Sequence, residues 1–335
     1  MTLYLLLLLA VQVPTGWFIV GSIALVLLAS YLLGGIFGPS PQYRISNPDQ
    51  LPPNDPGDFL DLLESLTDAK VNRTGRFDVF TNGTSFYPAE LEAIRSAKHS
   101  VNLEAYIFNR GRIGRQYLDA MAERARAGVQ VNVVLDAFGS AGANRAFFRP
   151  LLDAGGKVCW YNGPTWSRLL RLDNRTHREL LIVDGKTGFI GGAGIADQWY
   201  TGVKGKPRWR DTMVCAEGEA VPNLQATFAE NWLAACGELL VGNAYFPQIS
   251  CSNQIAAMVV NSTPTVGGST RARVLFQLLL ASAKRTISIM TPYFLPDKSL
   301  TNELRRAIEE RGVKVRILVP GHKSDHWLTR STSRG

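Results

Sequence analysis

Hydrophobic and polar positions fall into two regimes. From Trp17 to Gly38 the chain reads WFIVGSIALVLLASYLLGGIFG without a charge. As a helix rising roughly 1.5 Å per residue, this run spans about 33 Å, enough for a bilayer core of about 30 Å. The apolar run Leu3 to Val13 is too short to span alone, and Pro14-Thr15-Gly16 breaks it from the next, so residues 1–40 predict an anchor of one or two transmembrane helices. The absence of Lys and Arg before it, and a run longer than the usual signal-peptide core of about 7 to 15 residues, argue against cleavage. Prolines at 39, 41, 48, 52, 53 and 56 predict an extended linker, taken over residues 41–75.

Beyond the linker the pattern becomes periodic, and it repeats. SAKHSVNLEAYIF (Ser96 to Phe108) matches SAKRTISIMTPYF (Ser282 to Phe294), each a helix end followed by an alternating strand. YLDAMAERARAGVQVNVVLDAFGS (Tyr117 to Ser140) then matches NELRRAIEERGVKVRILVPGHKS (Asn302 to Ser324), with Gly128 and Gly312 each closing a helix before a Val-rich strand. Helix, strand, helix, strand in each unit predicts parallel pairing and an α/β fold, with a first domain over 76–255 and a second over 256–335. Leu224, Phe228 and Trp232 recur every fourth residue and predict a core-facing helix.

Charge and cysteine narrow the setting. The first charged residue is Arg44, so the net +8 lies wholly after the apolar run and favours anionic partners. Arg44, Lys70, Arg73 and Arg76 follow the run and place the large domain on the cytoplasmic side. Cys159, Cys215, Cys236 and Cys251 form no C-x-x-C pair and lack histidine at ligand spacing, so they read as reduced, buried thiols with no metal site.

The chemistry centres on THRELLIVDG (Thr176 to Gly185). ELLIVDG reads as a buried strand, and the glycines at 185, 188, 191, 192 and 194 would let a phosphate-sized ligand approach the backbone. A strand period of two puts His177 and Glu179 on one side and Arg178 on the other. With His177, Asp184, Gly191 and Gly192 in register, the stretch resembles one copy of the phospholipase D signature H-x-K-x4-D-x6-G-[GS]-x-N. The resemblance extends over Asn82 to Phe108, DAFGS (Asp136 to Ser140), GGAGIADQW (Gly191 to Trp199), WRDTMV (Trp209 to Val214) and PYFLPD (Pro292 to Asp297), and is to bacterial cardiolipin synthases.

The resemblance implies a phospholipase D-like repeat and a phosphatidyltransferase that joins two phosphatidylglycerols into cardiolipin and glycerol through a phosphohistidine, with no metal or cofactor. His177 would be catalytic, and Asp184 would orient a histidine. Residues 179, 191, 192 and 194 would hold phosphate. Two of these depart from the pattern: Glu179 stands at the lysine position and Gly194 at the asparagine position, so a carboxylate would face transition-state charge. Counting the Gly128–His177 interval of 49 from Gly312 reaches about position 361, past Gly335, so the second motif is expected outside the chain and the second unit is expected to be partial. Alone, the chain is expected to have little or no transferase activity, leaving room for a second chain that supplies the missing half. The expected setting is the bacterial inner membrane, with anionic phospholipids such as phosphatidylglycerol as partners. A phospholipase D-like phosphodiesterase or nuclease, and a non-catalytic phospholipid-binding half, are the alternatives; the apolar run argues against nucleic acid.

Overall fold

The computed structural model describes residues 15–37, 43–47, 51–52, 56–163, 175–203, 205, 207–262, 270–291 and 294–319. In chain order the elements are α1 (Thr15–Phe37), α2 (Pro56–Thr67), β1 (Val71–Asn72), β2 (Gly75–Thr81), α3 (Gly83–Ser96), β3 (Ser100–Ala105), α4 (Arg112–Arg126), β4 (Gln130–Asp136), α5 (Arg149–Asp153) and β5 (Lys157–Tyr161). There follow β6 (Glu179–Val183), β7 (Thr187–Gly191), α6 (Asp197–Tyr200), β8 (Thr212–Gly218), α7 (Ala220–Cys236), β9 (Ala257–Met258), α8 (Arg271–Ser282), β10 (Thr286–Met290), α9 (Lys298–Glu309) and β11 (Lys314–Leu318). They form two compact units, residues 68–261 and residues 1–67 with 262–335.

The 68–261 unit is built on a seven-stranded sheet, order β2-β8-β7-β6-β3-β4-β5. The β3–β4 and β4–β5 pairs are parallel and β3–β6 is antiparallel. β3 and β6 are buried at every position, as strands covered on both faces must be. One face carries Phe86, Ile94, Tyr117 and Met121 of α3 and α4 over Val101, Leu103, Val133 and Leu135. The other carries Leu224, Phe228 and Trp232 of α7 over Val134, Leu180 and Ile182, as the four-residue spacing predicts. Gly128 leaves α4 at φ 86°, a conformation that glycine adopts without steric cost. The α7 face also holds a polar thread, in which Asn132 donates to Asn102 and Asn102 to Gln225, both at 3.0 Å.

In the other unit, β10 and β11 pair in parallel and α8 and α9 pack together, so the repeat has the predicted helix, strand, helix, strand order. Leu280, Ile287, Leu304, Ala307 and Val313 form its core. Part of the segment expected to be linker is helical: α2 opens on Pro56, whose missing N–H costs nothing at the first helical position, and buries Leu63 while packing on α8. α1 is a 23-residue helix without charged residues. Its described side chains, residues 16–31, are exposed and rise about 24 Å. On described residues alone, no helix is long and apolar enough to cross a membrane. The run Leu3 to Val13, the second half of the expected anchor, lies outside the described residues.

The cysteine reading needs correction. Cys159 of β5 and Cys236 at the end of α7 form a disulfide across 77 residues of sequence, fastening the helix to the sheet edge. Cys215 and Cys251 are free and half-buried. No local pattern signalled the bond, because the fold alone brings the two residues together.

Candidate active site

One end of the seven-stranded sheet gathers the chemistry. There β3 ends at Ala105, β4 at Asp136 and β7 at Gly191, and there β6 begins at Glu179, paired with Gly191. His177, two residues before β6, is exposed. Its ring stacks on Tyr106 with centroids 4.2 Å apart and planes at 27°. Stacking on a neighbouring loop holds the imidazole without occupying its nitrogens.

The chain just before His177 is tightly fixed. Thr176 is buried; its N–H donates to Asp136 Oδ2 at 3.1 Å and its hydroxyl to Glu104 Oε1. Asn231 of α7 donates to the same Glu104 oxygen at 2.6 Å. Asp136 Oδ1 accepts the N–H groups of Phe138 at 2.9 Å and Gly139 at 3.0 Å, closing the turn after β4. Burial raises the Glu104 carboxyl to about 7, against the pull of the hydrogen bond from Thr176. Its second oxygen, Oε2, is buried without a hydrogen-bond partner among the described residues.

Glu179 lies on the His177 side of the strand, as the period requires. Its Oε1 accepts the N–H groups of Tyr106 at 3.2 Å and Ile107 at 3.4 Å. Burial pushes its carboxyl well above the ordinary carboxylate range, and the two N–H donors only partly offset that. The sequence reading pictured a full carboxylate here; the enclosure favours the neutral acid instead. A Cβ at Gly194 would sit 2.6 Å from the Ile107 carbonyl and 3.1 Å from Glu179 Oε1, so Glu179 and Gly194 are mutually adapted. An asparagine at 194 would not fit this backbone without movement. Arg178 points the other way, donating to the Thr227 carbonyl at 2.8 Å and pairing with Glu230 at 2.9 Å.

Asp184 is not with His177. Seven residues along the chain, at about 3.3 Å each, put it roughly 23 Å away at the far end of β6. It takes a left-handed φ of 53°, and its carboxylate accepts the N–H groups of Lys98, His99 and Ser100 at 2.7–2.9 Å. In this position Asp184 clamps the α3–β3 turn. Gly191 and Gly192 are in the site region, but a Cβ there would meet the Thr212 carbonyl at 2.4 Å and Asp211 Oδ1 at 2.9 Å. Close backbone approach is thus used at least partly by the chain itself. Tyr106, Thr176 and Asn231 were missed by sequence reasoning; only Tyr106, just past an alternating strand end, carried a usable signal.

Comparison with known proteins now adds identity to geometry. A profile described as "Cardiolipin synthase, PLD-like domain" matches residues 91–232 and 277–335. Cardiolipin synthase 1 of Bacillus anthracis is 34% identical over 264 residues, covering 76% of this chain and 52% of that protein. The major cardiolipin synthase of Bacillus subtilis strain 168 is 33% identical over 282 residues, covering 82% and 58%. The chain thus spans about half the length of the curated relatives it matches. Phosphatidylserine synthase of Haemophilus influenzae Rd KW20 has a similar fold, with a TM-score of 0.55, 15% identity, and coverage of 81% of this chain and 70% of that one. With the α/β sheet, the His177 loop and these matches together, the chain belongs to the cardiolipin synthase family of phospholipase D-like enzymes.

Proposed function

We propose that this chain is part of a phosphatidyltransferase of the cardiolipin synthase type, with His177 as its nucleophile. The observation that carries the reading is an exposed imidazole, stacked on Tyr106, on a loop fixed by Thr176 at the end of the sheet. An imidazole nitrogen attacks the phosphodiester phosphorus of phosphatidylglycerol, and the P–O bond to the headgroup glycerol breaks. The hydroxyl of a second phosphatidylglycerol then attacks the phosphohistidine, passing its proton to the group that protonated the leaving glycerol, so that the P–N bond breaks, cardiolipin forms and the imidazole is freed. A second H-x-K-x4-D motif, which the 335 residues do not contain, supplies the acid that protonates the leaving glycerol.

Glu179 sets the level of activity. Transition-state charge on the phosphoryl oxygens is met in the family pattern by a lysine cation; here a buried acid stands in that place, and no cation replaces it from Arg178. This supports strongly impaired transfer by the chain alone. It also supports a second reading, a non-catalytic half that binds phospholipid. The uncharged helix α1 is the proposed point of attachment to the bacterial inner membrane.

The test is acid-labile, hydroxylamine-sensitive labelling of the protein by phosphatidylglycerol carrying 32P. Glu179→Lys is expected to raise labelling above the wild-type level, and His177→Ala to abolish it. Labelling absent from every variant would support the binding reading instead.

A further inference from the structure

We propose that the arginine-rich, aromatic rim around His177 is a docking surface for an anionic phospholipid bilayer. The inference rests on the preceding reading and gives its site a physical approach to the substrate. Four stretches of the 68–261 unit meet at this end of the sheet as one continuous surface. Ser140 Oγ donates to the Tyr106 carbonyl at 2.8 Å and accepts from Phe108 N–H at 3.0 Å, binding the 137–148 loop to the 106–111 loop. Ile195 N–H donates to the Ile107 carbonyl at 2.8 Å and accepts Asn109 at 2.9 Å through its own carbonyl, adding the 192–203 stretch. Trp209 N–H donates to the Gln198 carbonyl at 2.8 Å, adding 207–211.

On this surface stand Arg110, Arg112, Arg145, Arg175, Arg208 and Arg210, all exposed except the half-buried Arg175. The described residues of the same loops carry two carboxylates, Asp197 and Asp211, and Arg175 is paired with a third, the buried Asp136, at 3.9 Å. The two loop carboxylates are engaged locally: Asp197 accepts the Arg112 and Ile113 N–H groups at 2.8 Å, and Asp211 that of Thr212 at 2.8 Å. The rim is therefore strongly positive. Phe138 is 69% exposed with the Arg175 guanidinium 5.4 Å from its ring centre, and Trp209 is 42% exposed against Trp199. An aromatic ring beside a cation is the arrangement that sits at a headgroup boundary, ring toward the acyl chains and charge toward phosphate. Nucleic acid would meet the same charge, but the same chain carries an uncharged 23-residue helix, which suits a lipid surface.

The test follows amide exchange in the full chain reconstituted in nanodiscs of phosphatidylcholine alone or with phosphatidylglycerol, and with single-stranded DNA as the rival probe. Slower exchange of 106–112, 137–148 and 207–211 is expected with phosphatidylglycerol only. Each basic residue near an anionic surface strengthens contact about fivefold, so reversing four removes it. R110E/R145E/R208E/R210E is thus expected to lose the protection, with exchange in β4 and α7 unchanged; if those elements loosen, the neutralised variants R145Q and R210Q singly are expected to weaken it about fivefold each. Equal exchange in the two lipids, protection retained by the reversed variants, or protection by DNA but not phosphatidylglycerol would each overturn the proposal. His177→Ala is expected to keep the lipid protection, so failure of docking and failure of the catalytic reading give different results.

Discussion

Replacing Glu90 by Gln probes how deeply this fold commits a carboxyl to its core. Glu90 on α3 is 3% exposed; Tyr117 donates to its Oε2, and Oε1 is buried without a hydrogen-bond partner among the described residues. Burial raises its carboxyl from 4.5 to about 8, with the Tyr117 hydrogen bond pulling the other way. A folded value above the unfolded one means that the native state holds a proton the unfolded chain has lost. The contribution to stability is therefore full below about pH 4.5 and falls as pH rises toward 8, by about 1.4 kcal/mol per pH unit. Between pH 5 and pH 8 that is on the order of 4 kcal/mol. The Gln variant has no proton to lose. Urea unfolding of wild type and Glu90→Gln, followed by tryptophan fluorescence, is expected to show a difference between the two proteins that grows in the variant's favour by that amount across the range. Glu104 and Glu179 shift in the same direction, so the comparison of the two proteins, rather than the wild-type curve alone, isolates Glu90. A constant difference from pH 5 to pH 8 would refute the reasoning.

Asp184→Ala leaves three backbone N–H groups without their acceptor and puts alanine at φ 53°, so a loss of about 2–4 kcal/mol in unfolding free energy is expected, with His177 modification by diethyl pyrocarbonate unchanged in the folded protein. Asn231→Leu removes a donor from Glu104, so its carboxyl is expected to titrate higher still, read by NMR titration of 13C-labelled glutamate carboxyls in the variant and the wild type. The Cys159–Cys236 link closes 77 residues, and Cys159→Ser with Cys236→Ser is expected to cost about 4.5 kcal/mol on the chain-entropy account, seen as reductant-insensitive, lower-midpoint unfolding.

What could be read in advance followed periodicity. The strand period put His177 and Glu179 together and turned Arg178 away, and the four-residue spacing of Leu224, Phe228 and Trp232 gave the face that α7 buries. Matching helix ends at Gly128 and Gly312 gave the parallel pairs β3–β4 and β10–β11. The errors lay where tertiary contact decides. Proline at 56 reads as a break, yet begins a helix because α8 offers α2 a surface. The charge of Glu179 could not be judged without its burial, nor the Cys159 pairing without the packing of α7 on β5.

Histidine-linked phosphate is the most direct measure of the central claim. After brief exposure to 32P-phosphatidylglycerol in mixed micelles, Glu179→Lys is expected to carry acid-labile label that maps to the peptide containing His177 and exceeds wild type, while His177→Ala carries none. Label that persists in His177→Ala, or maps to another residue, would contradict it.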